Sequence, residues 1–327
     1  MKYTTLLFIS LLTLSVVAQI NTGDTKTFSL YQDSLKTICS KLFKPDNKDA
    51  VNEKLNQQLL ATFETALNMP NSINFPFDSL SILKYISILV SPDNKFRIIN
   101  WNVPKNDGTQ IYYGFIQEKY EQVIKHGIFK KQRIESVKLY PLIDKSAETK
   151  NPDNYISDNK KWFGMLYYKI ILKKTKAKKY YTLLGWDGND KITRKKIIDV
   201  LTFDNNGTPR FGADIFSMQK KYPKRIIFEY SSNCNMSLRF STKKDSIVFD
   251  HLAPNSPQLE GQYQYYCNDG SYDGFGFKGG KWNYGIDLNA INEKDEKDKI
   301  YIDPRTDTSN KKESRTLKQD RKKKKQK

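Results

Sequence analysis

The residues that could do chemistry are few in this 327-residue chain, and their types limit what they could do. There are two histidines, His126 and His251, and three cysteines, Cys39, Cys234 and Cys267. That is too few for a His/Cys zinc cluster or a disulfide scaffold. A Ser-His-Asp or Cys-His centre needs a base beside a nucleophile and a third group that orients the base. His251 shares an alternating face with Ile247 and Phe249, where a core histidine is the ordinary reading, and His126 precedes Gly127 in a basic stretch. No G-x-S-x-G is present, and no cysteine lies in a glycine-rich catalytic setting. Nucleophilic hydrolysis is therefore not expected.

Two other patterns point to binding. Asp269-Gly270-Ser271-Tyr272-Asp273-Gly274 has the D-x-S-x-D-G opening of a calcium loop, placing the oxygens of Asp269, Ser271 and Asp273 at alternate positions. The twelfth position would be Gly280 instead of a bidentate Glu, so an Asp-Gly turn without metal is the competing and stronger expectation. Trp186, in Gly185-Trp186-Asp187-Gly188, falls at a turn and is the tryptophan expected to be exposed. With loop carboxylates it would suit sugar stacking, which makes a carbohydrate-binding or carbohydrate-active protein the alternative reading.

Charge is the stronger signal. The chain has 55 Lys+Arg against 36 Asp+Glu, a formal net charge of +19. Lys173, Lys174, Lys176, Lys178 and Lys179 crowd one turn between apolar strands, with Arg194-Lys195-Lys196 and Lys220-Lys221 adding to them. Residues 311–327 hold ten Lys/Arg and two acids, and a net +10 remains on residues 19–310. Such residues raise the local potential and attract polyanions. Which polyanion depends on the compartment. Met1–Gln19 reads as a signal peptide, with Lys2 in the n-region, Leu6–Leu14 as the apolar core and cleavage near Ala18. An exported protein, secreted, periplasmic or envelope-associated, meets anionic surfaces, acidic polysaccharide or an acidic protein partner, and not nucleic acid. No spanning segment is expected after the signal is removed. The expected function is a non-enzymatic binding or envelope-associated component. Export also permits one disulfide; if one forms, Cys234 and Cys267 are the expected pair, and three unpaired, mostly buried cysteines are an equal expectation.

These residues need elements to position them. The chain divides into a signal peptide (1–18), a helical N-terminal region (19–90), an antiparallel β domain (91–291) and a polar, basic, disordered tail (292–327). Tyr31, Leu35, Ile38 and Leu42 recur at helical spacing, and Val51, Leu55, Leu59, Phe63 and Ala66 form the stripe of a second helix with Asp46 or Asn47 as its cap. Leu80–Val90 is apolar without a clean period and is expected to be helical to about Ile86.

From Ser91 the period becomes two. Asn106-Asp107-Gly108 signals a hairpin, and Asp187-Gly188, Asn206-Gly207 and Asp269-Gly270 signal turns. The alternation is cleanest in Arg225–Tyr230, Met236–Ser241 and Ser246–Leu252. The fold class is therefore α+β, mainly β: N-terminal helices followed by an antiparallel β-meander, as a sandwich, barrel or propeller-like sheets. The turn Ser91-Pro92-Asp93-Asn94-Lys95 is similar to one that precedes strands in β-propeller blades. It occurs once, and no repeat of about 40–50 residues accompanies it.

Overall fold

The computed structural model describes residues 22–83, 85–126, 130–176, 178–218 and 221–285. The expected signal peptide and basic tail lie outside the described residues.

The chain opens with helices α1 (Thr22–Leu42) and α2 (Asp49–Asn68), then a single helical turn α3 (Asp78–Ser81). Helix α2 turns Asn52, Asn56, Leu59, Phe63, Ala66 and Leu67 inward. Val51, expected in that stripe, is 46% exposed, because the buried stripe runs one position away from it. Asn47 does not cap α2. Its amide donates to the carbonyls of Lys41 and Leu42 and so closes the end of α1 instead.

The Leu80–Val90 run is also corrected. Only its start is helical, and β1 (Ile86–Val90) is a strand paired with β2 (Phe96–Pro104). Strands β3 (Gln110–His126) and β4 (Lys130–Ile143) complete a four-stranded antiparallel sheet in the order β1-β2-β3-β4. Lys105-Asn106-Asp107-Gly108 closes the β2–β3 hairpin, with Gly108 at φ +100° where an L side chain would be strained.

A second sheet contains β5 (Ser157–Asp158), β6 (Leu166–Lys174), β7 (Lys179–Asp187), β8 (Thr193–Phe203) and β9 (Pro209–Phe211). After the short β10 (Phe216–Ser217), β11 (Ile226–Ser231) returns to β8. Strands β12 (Leu238–Ser241), β13 (Ser246–Pro254), β14 (Tyr266–Lys278) and β15 (Lys281–Gly285) form the third sheet, with β10 joining β15 in parallel.

Three hydrophobic cores stack these elements into four layers. Phe28, Leu35, Phe63 and Leu67 of the helices meet Ile99, Trp101 and Phe115 of the first sheet. Phe96, Ile98, Tyr112 and Ile116, on the opposite face of that sheet, meet Leu183, Ile197 and Leu201 of the second. The second sheet's remaining face, with Leu184, Ile198 and Val200, meets Ile247, Phe249, Phe275 and Trp282 of the third. Period two explains the arrangement, since alternate residues point to opposite faces and each inner sheet covers one layer with each set. Each fully buried large apolar side chain is worth about 1.5–3 kcal/mol.

Polar pins fix the layers. The Trp101 indole N–H donates to Asn56 Oδ1 at 2.7 Å. Arg97, 2% exposed, donates to Gln117 and to the carbonyls of Phe75 and Ser72, tying the helical layer to the first sheet. Trp282 donates to Thr182 across the second and third sheets at 2.9 Å. Among the described residues no helix is long and apolar enough to cross a membrane.

Candidate functional site

The lysine-rich turn joins β6 to β7 and is closed by Thr175, whose N–H donates to the Lys178 carbonyl at 2.9 Å. Lys174, Lys176, Lys178 and Lys179 are exposed. Lys173 differs. Its side chain is only 12% exposed, pairs with Asp245, and lies 5.3–5.5 Å from the ring centres of Phe240, Phe277 and Trp282. It joins the second sheet to the third instead of facing solvent. Lys179 pairs with Asp93 at 2.7 Å and so reaches the first sheet. Three of the five lysines, Lys174, Lys176 and Lys178, therefore form the exposed crown of the turn.

Two other hairpin ends converge on that crown. The β14–β15 turn is Lys278-Gly279-Gly280-Lys281, with φ of +62° and +79° at the two glycines. A Cβ placed on Gly280 would lie 3.2 Å from Thr175 Cγ2, so the two turns touch. The β12–β13 turn brings Lys243, Lys244 and Asp245, and Asp245 is the partner of Lys173. Lys244, Ser246, Phe277, Lys278 and Asn283 border an open depression of about 470 Å³ at this end. Lys174, Lys176, Lys178, Lys243, Lys244, Lys278 and Lys281 are all exposed there. Sequence inspection finds the first group as a charge run. The other two pairs are unremarkable along the chain and become a cluster only through strand pairing.

The other basic groups do not join this end. Lys196, 7% exposed, lies 4.7 Å over the Tyr168 ring, and Lys195 bonds to Asn189 and pairs with Glu229. Lys221 is exposed, and Lys220 lies outside the described residues.

Trp186 requires correction. It is 2% exposed and belongs to the core between the first and second sheets, because β7 runs through it to Asp187 before turning. Trp101, Trp162 and Trp282 are 0% exposed, so no tryptophan offers a stacking face to solvent.

The Asp269–Gly274 segment also sits differently from a loop between strands. It lies inside β14 as a bulge, where the pairing register jumps from Asp250/Tyr272 to Leu252/Asn268 and leaves Asp269, Gly270 and Ser271 opposite His251. Gly270 at φ +89° makes the turn possible. Asp269 Oδ1 accepts from the Ser271 N–H and hydroxyl, at 2.9 and 2.7 Å, which holds its carboxyl below the usual range. The Asp273 side chain, 5% exposed, bonds His251 Nδ1 at 2.8 Å and accepts from Tyr284 at 2.6 Å on the same oxygen. Burial and this carboxylate push the Tyr284 phenol up.

His251 is thus not the buried histidine its alternating face suggested, since its side chain is 42% exposed at the bulge. Its Nε2 lies 3.9 Å from Asp269 Oδ2, so the imidazole stands between the two carboxylates that a calcium ion would have to share. Among the described residues no group of three or more His, Cys, Asp or Glu is arranged to hold a metal ion.

Cys234, in the β11–β12 connection, is bonded to Cys267 of β14, with Cα atoms 5.6 Å apart. Cys39 is 1% exposed in the helical layer, and burial pushes its thiol up to about 12, so it behaves as a small apolar side chain. No family model matches the chain, and neither curated proteins nor solved structures provide a match.

Proposed function

We propose that this protein is an exported, non-enzymatic binding component whose lysine-bearing hairpin end engages an anionic surface. The observation that carries the reading is the meeting of three hairpin turns, which gathers exposed lysines from 174–178, 243–244 and 278–281 at one end of the molecule, where Lys244 and Lys278 border a depression together with Asp245. Lysine supplies compact point charges and not the planar fork of Arg, which suits a polyanion more than one bidentate ligand. The N-terminal signal and the basic C-terminal segment agree with this assignment. Anionic lipid headgroups and acidic polysaccharide present the same chemistry to such an end, and an acidic protein would do so with a more defined shape.

Each lysine near an anionic membrane surface is worth about 1 kcal/mol, and the attraction decays over a Debye length of about 10 Å at 0.1 M salt. The test is retention of the full chain on phosphatidylglycerol vesicles and, separately, on a sulfated polysaccharide column, each at low and high salt. The charge reversals Lys174→Glu, Lys176→Glu and Lys178→Glu together should weaken retention strongly at low salt, with a smaller loss from deleting residues 311–327. Unchanged retention after the reversals would remove the hairpin end from the function. Turnover by the pure protein of glycosidase, esterase or peptidase substrates would refute the non-enzymatic reading.

A further inference from the structure

A second feature of the third sheet lies away from the lysines. Strand β13 starts at Ser246 beside the basic turns and reaches His251 five residues later, roughly 17 Å along at strand rise. There an open depression of about 490 Å³ is bordered by His251, Pro254, Pro257, Glu260 and Tyr266. We propose that this depression binds a neutral saccharide, with Tyr266 on its border and the neighbouring exposed Tyr263 and Tyr265 as stacking faces, and with His251 and Glu260 as polar contacts.

The aromatic side of the site is built. Tyr263 and Tyr265 are 44% and 40% exposed, in one helical turn just before β14. The Tyr263 ring lies 5.2 Å from that of Tyr266, and the Tyr266 hydroxyl is held by the Gly261 N–H at 2.9 Å. The Tyr265 carbonyl accepts from Asn255, which follows Pro254 of the depression. Cys267, next to Tyr266, is fixed by the disulfide to Cys234. Single exposed apolar residues need no explanation, whereas three tyrosines within four positions beside a depression form a patch that a ligand could cover.

The polar side is directional. Asp273 occupies His251 Nδ1, while Nε2 lies 3.9 Å from Asp269 Oδ2, beyond hydrogen-bond distance, and on a side chain 42% exposed it can still meet a hydroxyl. Glu260 is exposed and accepts hydroxyl protons. A pyranose ring has an apolar C–H face and a rim of hydroxyls, which matches aromatic faces beside acceptors. An anionic ligand would meet Glu260 and Asp269. A small cation would be drawn to the same carboxylates and rings, but one carboxylate oxygen of Asp269 is occupied by Ser271, and the Tyr263 and Tyr266 rings are tilted by 55° instead of walling a cage.

The inference does not depend on the anionic-surface reading. Its test is calorimetric titration of the full chain with cellohexaose, mannohexaose, chitohexaose and maltohexaose, and with tetramethylammonium as the cation probe. At least one hexasaccharide should bind, and the double substitution Tyr263→Ala with Tyr265→Ala should weaken it about tenfold or more. Both side chains are exposed, so the melting temperature should stay put and separate lost binding from lost folding. The lysine reversals at the basic end should leave this binding unchanged. Absence of binding by all four sugars, binding that survives the tyrosine substitutions, or selective binding of tetramethylammonium would each overturn the assignment.

Discussion

The second and third sheets have the same antiparallel construction but differ in what surrounds them. The second is covered on both faces, so β8 is buried almost throughout, with Ile197, Ile198, Val200 and Leu201 at 0% exposure whichever way they point. Asp199 and Arg225, both 0% exposed, face each other at 3.1 Å, and Arg225 also donates to the Pro152 carbonyl. Among the described residues the third sheet packs one face against the second and has no further layer on the other. Its turns reach solvent, and both the lysine end and the His251 bulge belong to it. A sheet enclosed on both sides can hold the fold but can offer surface only at its ends. The outermost sheet is where exposed chemistry can accumulate.

The sharpest break of this comparison lies in the enclosed sheet. Arg225→Leu leaves the Asp199 carboxylate without its cation in a dry site and should cost about 3–5 kcal/mol in denaturant unfolding. A cost near zero would mean that Asp199 is protonated or hydrated and that the second sheet is less enclosed than its packing indicates. In the third sheet the comparable element is covalent. The disulfide spans 33 residues in sequence, and replacing Cys234 and Cys267 together by Ser should cost about 3–4 kcal/mol on a chain-entropy account. The loss should be concentrated in hydrogen exchange of β12–β14, with little change in β2 or β8.

A smaller effect tests the seam between the first two sheets. Burial opposes ionisation of Asp93, but hydrogen bonds from Lys179, Tyr181 and Ser91 outweigh it and hold the carboxyl below its ordinary value. A depressed folded-state value means that its stabilisation is complete above the unfolded value of about 3.9 and fades as pH falls through the folded one. The melting-temperature gap between the natural chain and Asp93→Asn should therefore be widest near neutrality and close as pH falls below the ordinary carboxylate range. A gap independent of pH would assign the effect to packing. The smallest expected change is from chelation. EDTA, followed by excess calcium, should leave the melting curve where it was, because the imidazole of His251 separates Asp269 from Asp273. A shift restored by calcium would show that the bulge rearranges around an ion.

Much of this construction was written locally. The helical spacing of Leu35 and Leu42, the glycine turns at Gly108 and Gly207, and the alternation of Ile247 and Phe249 each depend on neighbours a few residues away, so they could be read from the chain. The mainly-β class with helices first followed from them. Trp186 was misread because an Asp-Gly pair marks a turn without saying whether the preceding strand is enclosed. His251 was misread because the alternation that buries Phe249 is broken by a bulge in the partner strand, and its own strand carries no sign of that. The lysines at 174–178 announced themselves as a run, yet their meeting with Lys243, Lys244, Lys278 and Lys281 depended on which turns touch. Sequence period fixes which side of a strand a residue faces, since the backbone alternates without help. Only the stacking of the layers decided what lay on that side, since burial and charge clustering arise from contacts between residues up to about a hundred positions apart, as between Thr182 and Trp282.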